Sequence, residues 1–494
     1  MFSEDLSRKA KAGGERENRF DSNLERKSVF GEDLCRNTKT TGLERKNGFG
    51  SPERRSTSSE TLQKTRLRHS MQKCLRHYFN MIKSCGEDVS LFNKLSTEIK
   101  ELTDEIKFIS SHKRPVCLAV IDALRKTLRG LWPTARAEVY GSFATGLCTP
   151  SSDVDIVICD TDMVPKDMQH VQTTKIQQLA KCLERQKWVK SLTTLPSASI
   201  PIIKVVANIG KLSVALDLSF ESSLHRGLPT SAFVRGLCIE YPPLETLALV
   251  LKQFLATKKI NNPYTGGLSS YGLVLMLASV LQRDRMFQEH IINSFTSKDS
   301  EDLSTEAKSS RMRMSDQGTE SREIANKDIL PYVQKGFFSA EAELGRLFVT
   351  FFDTFGRRFD PQLHAVSVSN SEDAPDYAFS GAKYRHMFCN HCMVIIDPFN
   401  QGNNIGRTCF NIWQIQQVFS SALNQITQRF GDESVYIPAL PQDRASPACS
   451  FAETEHVKSL LGAGFSALHH KFVVEKERDA WVQKPKNSSQ KRTS

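Results

Sequence analysis

The sequence predicts a small mixed α/β unit joined to a mostly helical region and preceded by a disordered, basic arm. Short period-two runs between about 136 and 240, with helical stretches among them, predict the α/β unit. Apolar residues at three- and four-residue steps beyond Pro242-Pro243 predict the helical region. Residues 1–68, rich in Ser, Gly, Lys, Arg and Glu and without either period, predict the arm. A chain of 494 residues has room for two or three domains, and 39% hydrophobic content suffices for their cores.

The charge balance is basic, 66 Lys and Arg against 55 Asp and Glu, a formal +11. Residues 1–70 carry 16 basic and 11 acidic side chains, so a seventh of the chain holds nearly half of the excess. Such a balance suits a polyanionic partner such as nucleic acid, or it simply solubilises the chain. No run of eighteen apolar residues is present, so no membrane span is expected. The opening residues have no apolar segment of the secretory kind, and Glu4 and Asp5 argue against a transit peptide. Twelve scattered Cys fit reduced thiols in the nucleus or cytosol. His386, Cys389, His391 and Cys392 are zinc-type ligands, but no second half-site follows them, so zinc is not expected.

The arm contains weak self-similarity: PheSerGluAspLeu at 2–6 returns as PheGlyGluAspLeu at 30–34, and LeuGluArgLys occurs twice. With so few apolar residues these repeats cannot stack. From 69 to 135 helices are expected to pack on the core, with Val116, Leu118, Ile121, Leu124, Leu128 and Leu131 as the buried stripe before Pro133. The α/β unit (136–240) should hold strands 137–140, 153–159, 202–206 and 213–220, the last two joined by a turn at 208–211, and helices 168–186 and 231–239. The helical region (241–435) should hold helices 244–257, 270–282, 340–355 and 412–430, and a strand at 393–396 before a loop at 397–407. Residues 296–326, polar and without aromatics, read as a flexible insertion. The extension 436–494 ends in basic pairs at 484–486 and 491–492, either a nuclear-targeting signal or a solvated end.

The chemistry is carried by aspartates. Val154, Ile156 and Ile158 alternate with Asp153, Asp155 and Val157, which puts both carboxylates on the face opposite the apolar set. At about 3.3 Å per residue they lie roughly 6–7 Å apart. Like charges that close raise each other's pKa unless a cation sits between them. A third carboxylate, Asp217, alternates with Val214, Leu216, Leu218 and Phe220 in the same manner. If the two strands are neighbours, three carboxylates converge on one exposed face beside Gly141-Ser142. That set suits two Mg²⁺ ions, with Mn²⁺ as the alternative hard cation, for phosphoryl transfer. Gly141 lets backbone approach a phosphate, and the Ser142 hydroxyl can bond phosphate oxygens.

Gly-Ser, then AspValAsp, then a distant Asp on a hairpin resembles the DNA polymerase β-like nucleotidyltransferases. Further stretches narrow the resemblance: ValTyrGlySerPheAlaThrGlyLeu (139–147), ProIleIleLysVal (201–205), LeuLysGlnPheLeu (251–255), AsnProTyrThrGlyGlyLeuSerSerTyr (262–271) and AspProPhe with AsnAsnIleGlyArg (397–407). Together they resemble the noncanonical poly(A) polymerases of the nuclear TRAMP type, over roughly residues 70–435. The resemblance implies a nucleotidyltransferase palm joined to a helical domain of the poly(A) polymerase-associated type.

It further implies that Asp153, Asp155 and Asp217 are the catalytic metal ligands, and that Lys252 and Ser270 reach the triphosphate. Tyr271 matches the aromatic on which the incoming base stacks. Gly227 matches a point of close backbone approach to the nucleotide, or is simply a loop glycine. Asn403 and Arg407 lie in the loop that closes over the base. Uridine-adding relatives commonly have His at the position of Asn403, so the amide here favours ATP. Cys148 departs from the family, where an aromatic commonly follows GlyLeu. The implied activity is template-independent addition of AMP to RNA 3′ ends; the alternatives are a uridylyltransferase and a catalytically silent RNA-binding scaffold. The implied partners are an RNA-binding zinc-knuckle protein and a helicase, in nuclear RNA surveillance.

Overall fold

The computed structural model describes residues 89–160, 168–198, 200–210, 212–296, 330–368, 382–388 and 392–428. The arm, the tail and most of the 296–326 insertion fall outside these residues, as do Cys389 and His391 of the zinc-type cluster. Among the described residues, no helix is long and apolar enough to cross a membrane.

Helix α1 (Val89–Leu131) runs 43 residues, straight through Pro115. It serves two cores. Leu91, Phe92, Leu95, Ile99, Leu102 and Ile106 enter a large helical cluster, while Cys117, Val120, Ile121, Leu124 and Leu128 enter the core of the α/β unit. The expected stripe is thus mostly right, with one correction. Leu118 is 44% exposed, because its position turns it away from the face that carries Ile121 and Leu128.

The α/β unit holds β1 (Arg136–Tyr140), the short α2 (Gly141–Thr145), β2 (Val154–Cys159), α3 (Met168–Leu183), β3 (Val189–Leu195), β4 (Ile202–Ile209) and β5 (Leu212–Phe220). The sheet order is β1-β2-β5-β4-β3, with β2 and β5 parallel and the other pairs antiparallel. The expected hairpin is present: Ile209 faces Leu212, and Gly210 takes a left-handed φ of +61°. Strand β3 was not foreseen, since Val189–Leu195 has only weak alternation and one edge neighbour.

Helix α4 (Gly227–Glu240) follows, then α5 (Pro243–Thr257) and α6 (Ser270–Thr296), which runs a good three turns beyond the expected end. Helix α7 (Glu343–Asp353) continues as a π-helical turn to Arg358. Strands β6 (Ala365–Val366), β7 (Val394–Asp397) and β8 (Asn400–Asn404) make a small second sheet, and α8 (Ile412–Gln428) closes the described chain. The segment expected as a loop at 397–407 is therefore the β7–β8 hairpin and a 3₁₀ turn, Ile405–Thr408. Its polar strand AsnGlnGlyAsnAsn carries no apolar alternation for the sequence to display. Although α4 follows the sheet in sequence, Val234 and Leu237 are buried in the helical core.

Two contacts knit that core. Gly345 on α7 lies so close to α1 that an added Cβ would strike the Phe92 backbone, and its N–H donates to Ser96 Oγ at 2.8 Å. Arg346, 1% exposed, is paired in bidentate fashion with buried Asp284 of α6, with Nη2–Oδ2 at 3.0 Å. Breaking such a pair strands a charge in a dry interior, whereas replacing both members can be nearly neutral. Arg346→Met is therefore expected to cost about 3–5 kcal/mol in urea unfolding. Adding Asp284→Leu should recover most of that loss; a double variant no better than the single one would refute this account.

Candidate active site

Parallel pairing of β2 and β5 sets Asp155 opposite Asp217, and on its other side Asp155 faces Tyr140 of β1. Asp153 stands just ahead of β2, exposed, while Asp155 is half-buried. The face is less wet than the alternation implied: Val157 and Cys159, on the same side as Asp155, are 1% and 3% exposed. The electrostatic consequence is direct. Burial, then the charges of Asp217 and Asp153, push the Asp155 carboxyl up to about 7, against the pull of Lys252 and Lys204. Asp153 also rises, first through the protein crowding its carboxyl and then through Asp217, with Lys204 and Lys113 opposing.

Asp217 has a cation of its own. Lys204, its register partner on β4, places Nζ 2.6 and 3.0 Å from the two carboxylate oxygens. Burial lowers the Lys204 ammonium, but the bond and charge of Asp217 more than reverse this, so it is raised overall. Among the described residues no three carboxylate, histidine or cysteine groups are gathered into a ready metal cluster, and Asp217 is engaged by Lys204. The donor set nonetheless fits a hard divalent ion. Asp155 and Asp217 face one another on neighbouring interior strands with Asp153 just ahead of them, and burial followed by the like charges of Asp217 and Asp153 disfavours the charge of Asp155.

Gly141 opens α2 with φ +67°, and a Cβ there would land on the Asp155 carboxylate. Its N–H donates to Ser231 Oγ at 2.8 Å, and Ser231 in turn donates to the Gly227 carbonyl at 2.8 Å. Gly227 itself packs against the rings of Tyr140 and His225. Beside this lies a cavity of about 390 Å³, lined among others by Gly141, Ser142, Asp153, Asp155, Thr230, Ser231, Lys252, Ser270 and Tyr271. Seven of the residues singled out in the sequence therefore meet around one cavity. Asp217, Gly227, Asn403 and Arg407 are not on its lining.

The loop at 147–152 is held from two sides. Lys252 of α5 donates to the Leu147 carbonyl at 2.5 Å. From α1, Ser110 bonds the Cys148 carbonyl at 3.2 Å, and Lys113 bonds those of Pro150 and Ser152 at 3.1 and 3.4 Å. Burial brings Lys252 down to about 8, with Cys148 and Asp155 pulling the other way.

Tyr271 opens α6 with its ring partly buried, and burial, reinforced by the Asp397 charge, pushes its phenol well above the ordinary range; Thr230 opposes this. Asp397 ends β7 and is 8% exposed. Its oxygens accept from Phe399 N at 2.9 Å and from Asn403 Nδ2 at 2.9 Å, so Asn403 is oriented by a buried carboxylate. The Phe399 ring packs edge-on against Phe233 of α4, with centroids 5.6 Å apart, tying the β7–β8 hairpin to the helix that carries Thr230 and Ser231. Arg407 is exposed on the 3₁₀ turn. Asn404 holds that turn together, accepting from Ile395 N and Gly406 N.

Sequence reasoning passed over Lys113, Lys204, Ser231 and Asp397. Lys204 was legible in part, since it lies in ProIleIleLysVal on a strand beside Asp217. Ser231 and Lys113 act through hydrogen bonds 90 and about 40 residues away along the chain, which no local pattern displays.

Comparison with known proteins agrees with this architecture. Residues 95–231 match the family model "Poly(A) RNA polymerase, mitochondrial-like, central palm domain", and residues 343–403 match "Cid1 family poly A polymerase". The chain is 26% identical over 338 residues to Poly(A) RNA polymerase protein 1 of Eremothecium gossypii, covering 67% of this chain and 44% of that protein. It is 24% identical over 338 residues to the inactive non-canonical poly(A) RNA polymerase protein Trf4-2 of Drosophila melanogaster, covering 68% of this chain and 69% of that protein. The chain thus spans under half of the E. gossypii protein's length. Among solved structures, the polymerase core of TRAMP, an RNA surveillance complex, superposes with a TM-score of 0.51 at 24% identity, covering 68% of this chain and 87% of that one. The resemblance expected from the motifs is therefore shown, and with it the nucleotidyltransferase fold.

The packing at Gly141 has a measurable consequence. Alanine there meets both a left-handed backbone and the Asp155 carboxylate, so Gly141→Ala should lose roughly 1–3 kcal/mol of stability in calorimetry. A variant as stable as the parent would mean that this close approach is not present in solution.

Proposed function

We propose that this chain, a nucleotidyltransferase of the noncanonical poly(A) polymerase type, adds AMP from ATP to RNA 3′ ends without a template. The observation that carries this reading is the meeting of Asp155 and Asp217, in register on parallel neighbours, beside a cavity that Gly141, Ser142, Lys252, Ser270 and Tyr271 also line. In this reading Asp153, Asp155 and Asp217 hold Mg²⁺, or Mn²⁺ in its place. When bound there, the metal supplies Lewis acidity for attack on the α-phosphate and for the departing charge. The RNA 3′ hydroxyl gives up its proton to solvent as its oxygen bonds the α-phosphorus, the bond from that phosphorus to the α–β bridging oxygen breaks, and pyrophosphate leaves with the bridging oxygen.

The chain's own groups position the reactants. Lys204 holds the Asp217 carboxylate in place until substrate arrives. Ser142 and Ser270 offer hydroxyls to phosphate oxygens, and Lys252 exchanges the Leu147 carbonyl for a phosphate. Tyr271 provides a face for the base, and Gly227 supports Gly141 through Ser231. Asn403, with Nδ2 given to Asp397, keeps its Oδ1 as an acceptor suited to the adenine amino group. Arg407 lies on the flank of the same hairpin. Retention of all three aspartates and of Gly141-Ser142 supports an active enzyme rather than a silent scaffold. The zinc-knuckle and helicase partners, and a nuclear setting, rest on the motif resemblance.

The reading is tested by extension of a labelled short RNA with Mg²⁺ and each nucleoside triphosphate in turn. ATP-dependent ladders are expected, and Asp155→Ala should lower the rate by at least ~10²–10³-fold. Ladders with UTP alone would replace the reading with uridylyl transfer. No product with any nucleotide, with cell extract present to supply partners, would favour the scaffold.

Lys252 adds a pH dependence. With its ammonium lost above about pH 8, the KM for ATP should rise as pH climbs through that value. Lys252→Arg, charged throughout, should flatten the rise. An unchanged profile in that variant would remove Lys252 from nucleotide binding.

A further inference from the structure

Two stretches of the chain are free of acidic residues although 55 of its 494 residues are Asp or Glu. Residues 246–283 contain none, and include Lys252, Lys258, Lys259 and Arg283; residues 398–428 contain none, and include Arg407. The fold brings the two together. Asn411 donates from its backbone to the Gly266 carbonyl at 3.1 Å and from its side chain to the Thr265 carbonyl at 2.7 Å, and the Phe410 ring covers Gly266.

This junction carries three aromatic side chains that remain substantially open to solvent. Tyr264 is 76% exposed, and Phe410 and Trp413 are each 49% exposed. Beyond Trp413 lies a hollow of about 350 Å³, lined by Lys258, Gln414, Gln417, Ser421 and Gln425. Lys258 directly follows α5, whose Lys252 and Ala256 line the cavity of the candidate active site. At the other end, Asn261, three residues before Tyr264, lines that cavity.

Resting on the function proposed above, we infer that this strip, from Tyr264 past Phe410 and Trp413 to the amide-lined hollow of α8, is the path of the single-stranded RNA behind its reacting 3′ end. Exposed aromatics offer stacking faces that accept any base, as a polymerase without a template requires. Amides and lysines suit sugar and phosphate, and the lack of carboxylates in the two segments that build the strip lessens repulsion from a polyanion. A protein partner would also use exposed Trp and Tyr, but it would not call for an acid-free surround. Tyr264 meets the bases nearest the reacting end and Trp413 those further upstream.

The test uses the full chain, with fluorescence anisotropy of labelled oligo(A) of about 15 and about four nucleotides, together with AMP addition to each. Tyr264→Ala should weaken both RNAs about tenfold. Trp413→Ala and Lys258→Glu should weaken only the longer one, and none of the three should alter the KM for ATP. All three side chains are surface groups, so thermal melts should match the parent. If wild-type protein binds and extends RNA but the variants behave like it, the path is overturned and the face belongs to a protein. If they lose affinity equally for both lengths, the assigned direction is wrong. If the wild type, with cell extract supplying partners, neither binds RNA nor extends it, the functional reading fails first and takes the path with it.

Discussion

Asp155 and Asp217 stand opposite one another on parallel neighbouring strands, and this unfavourable meeting of like charges organises the surroundings. Like charges directly opposite one another on paired strands are unfavourable without compensation. The chain supplies some of it through Lys204, which takes Asp217, and leaves Asp155 beneath Gly141 with its carboxyl held near neutrality. The residual imbalance is of the kind that a hard divalent cation would offset. Around it, the glycine is present because its Cβ would occupy the Asp155 carboxylate, and Ser231 is present because the Gly141 N–H needs an acceptor once it is buried.

The second organising element is α1. One helix contributes to both cores, with the change from one to the other falling near Pro115. Where it passes the active-site loop, Ser110 and Lys113 take three of the carbonyls between Cys148 and Ser152. Lys252 takes that of Leu147 from the opposite side. The loop that leads into Asp153 is thus fixed by side chains from an early helix and a late one, so the position of the carboxylate depends on both cores being formed. Backbone carbonyls held by charged donors are strong tethers, and those here are part-buried, where competition from water is reduced.

The side of the cavity at Tyr271 follows the same logic of one buried group setting the next. Asp397 orients Asn403, and its charge is felt by Tyr271, while Phe399 two residues later anchors the hairpin on α4. A change at Asp397 would therefore alter the amide and the aromatic together, although the cavity lining does not include it. Asn411, which forms the junction with Thr265 and Gly266, follows this hairpin along the chain, with Gly266 covered by the Phe410 ring.

The sequence by itself determined the palm strands, the hairpin at Gly210 and the three aspartates, because period-two alternation records directly which side of a strand is buried. It also determined the helical stretches of the second region, apart from their ends. It missed β3, β6 and β8, which are edge or very short strands whose residues lack that alternation. It placed Leu118 in the core although the face is decided by which neighbours α1 meets. The tertiary structure alone decided that β2 and β5 are parallel neighbours in register, that Lys204 rather than solvent faces Asp217, and that Ser231, Lys113 and Asp397 support groups far from them in the chain. Those are pairings between distant segments, and a local pattern records what a residue needs but not which residue supplies it.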